Sequence, residues 1–196
     1  MEFHEVVARR RMVRNYAATP VSRESLERIA AAAQRAPSAG FSQGQRLIIV
    51  TDEARRRRIA EICDEPGYVE AGFDPWVSRA PALFIPCVSE EVYRTRYREP
   101  DKRGPGEPEM EWPVPYWWVD VGCTTMLILL AAVNEGLAAG FLGTHDLAGL
   151  GHELGLPPDF VPVGVITVGH PLPDRRSGSL KRGWVPADEF VRWEGW

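Results

Sequence analysis

The stretch Asp120–Gly143, DVGCTTMLILLAAVNEGLAAGFLG, decides the fold. It carries no charged side chain between Asp120 and Glu135 and is apolar on almost every face. A helix of that kind has no solvent side and belongs in the middle of a core or in a large subunit interface. It falls short of the ~20 apolar residues that a bilayer span requires. Gly136 tolerates the left-handed conformation that ends a helix, and Leu137–Leu142 follows as a short apolar run bounded by glycines. The reading is therefore helix, stop, buried strand. The strand delivers Gly143, Thr144, His145 and Asp146 to its carboxyl end, where backbone amides commonly meet ligands in sheets with helices on their faces.

Outward toward the amino terminus, Phe3, Val6 and Val7 mark one face of a short helix that runs into Arg9, Arg10, Arg11 and Arg14. The plainer reading is a helix carboxyl end that welcomes cations. The functional one is an anion clamp, with Arg10 and Arg14 on one face if the helical turn persists. Pro20 and Ser22 open a second helix, closed at Pro37. The loop Ala36–Gln45, APSAGFSQGQ, is rich in small and hydroxyl residues that let a ligand approach the backbone, and it precedes the strand candidate Leu47–Thr51. Asp52 caps a helix through Cys63, with the run Arg55–Arg58 as a solvated face. Glu65–Val77 reads as irregular. Ala82–Val88 reads as a buried strand that Pro86 assigns to an edge or a strand end.

Ser89 caps a short helix through Tyr97, and Glu99–Pro115, EPDKRGPGEPEMEWPVP, is too dense in proline and glycine for regular structure. With Trp112, Tyr116, Trp117 and Trp118 close by, it reads either as a lid over a planar ligand or as a loop pinned by its aromatics. Beyond the central stretch, Asp146–Leu154 is helical in pattern and Val161–Val168 is the last strand candidate. The tail carries Arg175, Arg176, Lys181 and Arg182, then the apolar residues Phe190, Val191, Trp193 and Trp196, which need a surface to lie on. Periodicity alone gives a mixed α and β domain with about four buried strands.

At 196 residues and 44% apolar content, the chain fits one domain over residues 1–196, with a loop at 98–115 and an arm at 174–196. A formal net charge of -4 argues against a general nucleic-acid binder. Cys63, Cys87 and Cys123 are far apart among apolar neighbours, which fits reduced thiols; with no apolar leader behind the amino-terminal arginines, the expectation is a cytoplasmic protein with no membrane partner. The glycines of GLGHELG lack dinucleotide-fingerprint spacing, His152–Glu153 lacks a second histidine, and no G-x-S-x-G elbow occurs, so no metal site or hydrolase is indicated.

Four motifs in order form a pattern. RRMVRNY at Arg10–Tyr16 resembles the opening R-R-S-x-R-x-F/Y of the FMN-dependent nitroreductase family, and APSAGFSQGQ resembles its A-P-S-x-x-N-x-Q-P-W loop. EGLAAGFLG at Glu135–Gly143 is similar to the family's helix-end G-L-G-x-x-x-x-G. PVGVITVGHP at Pro162–Pro171 is similar to its last core strand. The resemblance implies an α+β nitroreductase-like fold: a central, mostly antiparallel sheet flanked by helices, in an obligate homodimer with two FMN sites and exchanged tails. It implies that Arg10 holds the FMN phosphate, that Arg11 and Met12 pass alongside the cofactor, and that Arg14 stands at the pyrimidine end of the flavin. A cation there stabilises the reduced ring, which makes Arg14 the candidate catalytic residue. Pro37, Ser38 and Ala39 would line the ring or ribityl chain from the partner subunit. Gly143 and Thr144 would lie near the reactive edge, and Lys181 or Arg182 would supply the tail cation.

The chain departs from the family at Met12, at Phe41 in place of the loop asparagine, at Gly44–Gln45 and at Trp184. Phe41 makes the pocket more apolar, and Phe41 with Trp112 are the candidate substrate residues. The implied activity is ping-pong hydride transfer from NADH or NADPH through FMN to an electron-poor acceptor such as a nitroaromatic or quinone. Other flavin chemistry on the same fold (dehydrogenation, dehalogenation, flavin breakdown) and a non-catalytic flavin-binding dimer stay open as alternatives.

Overall fold

A computed structural model describes residues 1–175 and 177–196 of the chain. Arg176, part of the tail's basic group, lies outside the described residues. The helices are α1 (Phe3–Arg9), α2 (Arg23–Ala33), α3 (Glu53–Ile62), α4 (Glu65–Glu70), α5 (Glu90–Tyr97), α6 (Tyr116–Asn134), α7 (Leu147–Leu154) and α8 (Ala187–Phe190). The strands are β1 (Gln45–Val50), β2 (Ala82–Val88), β3 (Ala138–Leu142), β4 (Val161–Pro162) and β5 (Val165–Gly169). They form one antiparallel sheet in the order β1-β2-β5-β3, with β4 paired to β2. This is the α+β arrangement expected, with five strands rather than about four, because Val161–Val168 divides into β4 and β5.

Alternation along β2 divides the core. Leu83, Ile85 and Cys87 face a cluster closed by Ile59 of α3 and Leu150 of α7, while Ala82 and Phe84 face Ile29 of α2 and Ile128 of α6. Both faces are thus covered, and every residue of β2 is buried. The expectation that Pro86 marks an edge or a strand end is corrected, because β2 is an interior strand that continues through Pro86 to Val88. Its partner on one side changes from β5 at Ala82–Phe84 to β4 at Cys87–Val88, and the Pro86 carbonyl in the gap accepts the Val163 N–H at 3.0 Å. N–H and C=O of one strand residue point the same way, so the missing proline N–H falls in the gap and interrupts no ladder bond there.

The central helix begins at Tyr116 rather than Asp120. It has 19 residues, and an 18-residue stretch of it averages a hydropathy of 1.6, so by length and composition it reaches what a membrane span needs, contrary to the sequence reading. Here its buried side, including Trp117, Val121, Ile128, Leu129 and Ala132, packs on α2 and the sheet. Trp118, Val119 and Met126 on another side stay exposed, so the helix does have an open face within one protomer. It ends as expected at Gly136, with φ +75°.

Two further expectations change. Residues 65–70 form α4, where the Glu65 side chain turns inward and accepts the N–H groups of Trp76 at 2.7 Å and Val77 at 2.6 Å. In Arg55–Arg58, Arg55, Arg57 and Arg58 are exposed as expected, and Arg56 is half-buried. Arg56 donates to the carbonyls of Thr51, Ser78 and Ala80, and Arg55 and Arg58 both pair with Glu153 of α7. α3 thereby ties the segment before β2 to α7.

One close approach fixes β3. A Cβ at Gly140 would lie 2.5 Å from the Val13 carbonyl oxygen and 2.9 Å from the Trp76 ring. Both neighbours are buried, and one is backbone, so neither yields cheaply. Gly140→Ala should cost about 3 kcal/mol of unfolding free energy, read as a shifted midpoint in urea denaturation; an unchanged midpoint would show that the Arg10–Asn15 segment is not packed against β3.

Candidate active site

Helix α1 stops at Arg9, and Arg10 adopts φ −61°, ψ 121°, so the helical turn does not persist. Arg10 and Arg14 therefore do not share a helical face, which corrects the forked clamp considered from the sequence. The segment instead runs along the outer edge of β3. Met12 bridges Ala139 in parallel, the Val13 N–H donates to the Ala139 carbonyl at 3.1 Å, and the Phe141 N–H donates to Met12 Sδ at 3.4 Å. It then crosses to the end of β5, where Tyr16 bridges Pro171 and its hydroxyl lies 2.7 Å from Thr167 Oγ1. Burial pushes the Tyr16 phenol well above its ordinary range, so it remains protonated and the tie holds.

Arg14 is fixed twice. Its backbone N–H donates to Asp174 Oδ2 at 2.8 Å, and its guanidinium lies over the Trp76 ring, 5.4 Å from the centroid. Trp76 is 3% exposed, and Glu65 accepts its N–H. A delocalised cation over an indole face is attracted by the ring quadrupole and held in a plane without being neutralised. Arg55, Arg58, Arg94, Arg96 and Arg98 are engaged by carboxylates; Arg10, Arg11 and Arg14 make no ion pair among the described residues.

Gly143 and Thr144 lie at the carboxyl end of β3, before α7, as expected. The Asp146 N–H donates to Thr144 Oγ1 at 3.2 Å, and Asp146 caps α7 by accepting the Gly149 N–H at 2.7 Å. Thr144 also touches the Cys63 thiol, which burial pushes up to about 11 while the threonine hydroxyl pulls it the other way. Met12 and Arg14 on one hand, and Gly143 and Thr144 on the other, are thus gathered on one edge of the sheet.

Pro37, Ser38, Ala39 and Phe41 are not gathered there. Their loop precedes β1, which lies at the opposite edge, three strand spacings or roughly 14 Å from β3. Phe41 is 76% exposed and has φ +55°, a strained conformation for a side chain of its size. Lys181 and Arg182 lie in an exposed turn, Gly178–Arg182, and Trp184, Phe190, Trp193 and Trp196 beyond it are exposed as well. Trp112 packs among Tyr97, Trp117 and Tyr93, with ring centroids 4.7, 5.5 and 6.4 Å away. Its loop is drawn back onto α5 by Arg96–Asp101 and Arg98–Glu109 pairs.

The sequence reading missed Trp76, Glu65, Tyr93 and the role of Asp120. A single carboxylate at the head of an apolar stretch was a usable signal for Asp120, since a buried charge must find donors. Nothing in the sequence joins Trp76 to Arg14, because that contact depends on the chain crossing β3.

A single antiparallel sheet flanked by helices, with three arginines that make no ion pair among the described residues along one outer edge, makes this an α+β domain with a cationic edge. The sequence profile described as the Nitroreductase family matches residues 7–170, and the chain belongs to that family. It is 29% identical over 185 residues to the FMN reductase [NAD(P)H] of Bacillus subtilis strain 168, covering 91% of this chain and 68% of that one. Among solved structures, B. megaterium NfrA2 superimposes with a TM-score of 0.79 at 22% identity, covering all of this chain and 76% of that one. The NADPH:FMN oxidoreductase of Vibrio harveyi, complexed with NAD+, gives 0.76 at 21% identity, covering 99% and 77%.

The thiols supply a test of this packing. Cys63 holds its proton toward about 11, against 9.0 for an ordinary thiol. The folded state therefore binds more protons than the unfolded one across that window, so stability is independent of this group below pH 9.0 and falls as pH climbs toward 11. Denaturation curves of Cys63→Ala should show a flatter decline over that range. Alkylation of Cys63 near neutral pH should be slow until urea unfolds the chain; fast native labelling would contradict its burial against Thr144.

Proposed function

We propose that this protein is an FMN-dependent oxidoreductase that passes electrons from NADH or NADPH to an electron-poor acceptor such as a nitroaromatic or quinone. The observation that carries this reading is Arg14: an unneutralised guanidinium held on the Trp76 face at the edge of β3, among further unpaired arginines. The residues suit the cofactor. Arg10 and Arg14 lie at most roughly 14 Å apart along a non-helical segment, a separation that suits the phosphate and ring ends of one elongated ligand better than a fork on one phosphate. A Cβ at Gly143 would meet nothing within 4 Å, so the backbone there is open to close approach.

Bound there, FMN supplies the two-electron carrier that lets donor and acceptor react in turn. Arg10 and Arg11 offer charge to the phosphate, with Lys181 or Arg182 from the tail. Arg14 places positive charge where the reduced ring gains negative charge, and Met12 packs alongside. Gly143 and Thr144 present backbone toward the reacting edge. Phe41 and Trp112 act on the acceptor side, Phe41 as an exposed apolar surface and Trp112 through the aromatic cluster beneath the same loop.

The working unit in this reading is a homodimer. Pro37–Phe41 and Arg14 lie on opposite edges of one sheet, so a second copy is what brings such a loop to the arginine edge. The open apolar face of α6, with Trp118, Val119 and Met126, offers the contact. A groove of about 580 Å³ between α2 and the free edge of β1, lined by Ala30, Ala33, Leu47 and Ile49, suits a partner's aromatic tail. It lies at the opposite edge from the arginine segment, which fits an arm better than a substrate.

The visible spectrum of the purified protein, before and after FMN is added, followed by anaerobic NADH and then NADPH, tests the reading. Flavin bands that bleach with either nucleotide are expected, and no uptake of FMN at micromolar concentration would overturn it. Arg14→Met should slow flavin reduction about tenfold to a hundredfold and lower the flavin midpoint potential, with Arg14→Lys between the two. An unchanged potential would remove Arg14 from its electrostatic role.

A further inference from the structure

Asp120 lies on α6 between the buried residues Trp117, Val121 and Thr124 and is itself 6% exposed. Its Oδ2 accepts the Ala39 N–H at 2.8 Å and the Tyr93 hydroxyl at 2.9 Å. Burial first, and then the hydrogen bond to Asp120 and its charge, push the Tyr93 phenol upward, so it stays a donor. A buried carboxylate left without donors is among the costliest groups in a core, and here both donors come from outside its own helix.

The turn that donates one of these bonds is strained. Gly40, Phe41 and Gln43 all have left-handed φ, at +61°, +55° and +53°. Its shape comes from bonds within the loop: Phe41 N–H to the Ser38 carbonyl at 2.8 Å, Gln43 N–H to Ser38 Oγ at 2.9 Å, and Gln45 Nε2 to the Pro37 carbonyl at 3.0 Å. Those bonds fix the turn's form but not its place on the protein.

Its place comes from α5 and α6. Tyr97 lies under Gly40, where a Cβ would come within 2.6 Å of the ring, and Tyr93 lies under Gly44, where the distance would be 2.5 Å. The two tyrosines are one helical turn apart and the two glycines four residues apart, so α5 forms a seat for the loop. Rings define the seat's height; they do not resist sliding along it. The directional contact at the strained end is the Asp120–Ala39 bond.

We propose that Asp120, steadied by Tyr93, is a positioning residue that latches the turn Pro37–Gln43 onto α6 and thereby presents Phe41 and the Pro37–Ala39 backbone to the cofactor site. The second half of this statement rests on the flavin reading above; the latch itself does not. Without the carboxylate the turn keeps its internal bonds and the Ser89 N–H to the Gly44 carbonyl at 3.1 Å, and loses its anchor at the Ala39 end. Trp112 packs on both seat tyrosines, so the 98–115 loop bears on the same latch.

The test compares the full-length protein with Asp120→Ala, Asp120→Asn and Tyr93→Phe. Amide hydrogen exchange, measured without added ligand, and titration with FMN are the two readouts. Asp120→Ala should raise exchange at the amides of residues 39–43 by about tenfold or more while leaving β2 and β5 unchanged. It should also weaken FMN binding about tenfold and alter the visible circular dichroism of the bound flavin. Asp120→Asn keeps an acceptor oxygen and should recover most of the protection. Tyr93→Phe should fall between, and these two variants decide the matter if the alanine protein does not fold. Unchanged exchange in the turn overturns the latch, as does exchange that rises equally in the turn and the sheet. Faster exchange with unchanged FMN affinity overturns its role at the cofactor. Wild-type protein that takes up no FMN overturns the flavin reading instead, and the ligand-free exchange pattern still decides the latch.

Discussion

A carboxylate buried near the start of the most apolar helix in the chain is the constraint on which the site's geometry depends. Asp120 cannot be solvated where α6 packs against the sheet, so the fold must supply donors, and it supplies them from α5 and from the loop before β1. Three elements distant in sequence are thereby referred to one oxygen atom. An apolar residue of similar size would pack there but would impose no position on the loop. The charge thus gives positional specificity that hydrophobic packing, being non-directional, does not.

The opposite edge of the sheet is organised by a different device. There the constraint is steric: Gly140 lets the Val13 carbonyl and the Trp76 ring approach β3 together. Glu65 holds the backbone of Trp76, and Trp76 gives Arg14 a surface to lie on without cancelling its charge. A carboxylate in that place would have bound the arginine more tightly and consumed the field it offers a ligand. The aromatic partner keeps the cation both fixed and available.

How much of this was legible in the sequence follows from range. The α6–Gly136–β3 unit could be read because its signals are local: an uninterrupted apolar run, a helix-stopping glycine, a short strand. The motifs at Arg10–Tyr16 and Ala36–Gln45 could be recognised for the same reason. Pro86 misled because a rule about strand edges assumes one partner along each side, and β2 changes partner at that residue. Within Arg55–Arg58 only Arg56 departs from the solvent-facing reading of a run of like charges, because it reaches back to the carbonyls of Ser78 and Ala80. The Arg14–Trp76 and Asp120–Ala39 contacts span 62 and 81 residues and have no local signature at all.

These two devices stand at opposite edges of one sheet, and that placement constrains how the proposed site is assembled. A loop at the β1 edge and a cation at the β3 edge cannot both touch one ligand from the same chain without crossing the strands between them. A rigid loop is of use at a distant site only if its position survives transfer into another molecule's pocket, where no covalent link corrects an error. The latch at Asp120 and the seat on Tyr93 and Tyr97 meet that requirement, because they fix the loop to its own protomer's core before any partner arrives. In this view the apolar open face of α6 and the buried carboxylate on the same helix serve one end. In the proposed homodimer, one face would bring two copies together, and the other would hold the loop ready for the contact.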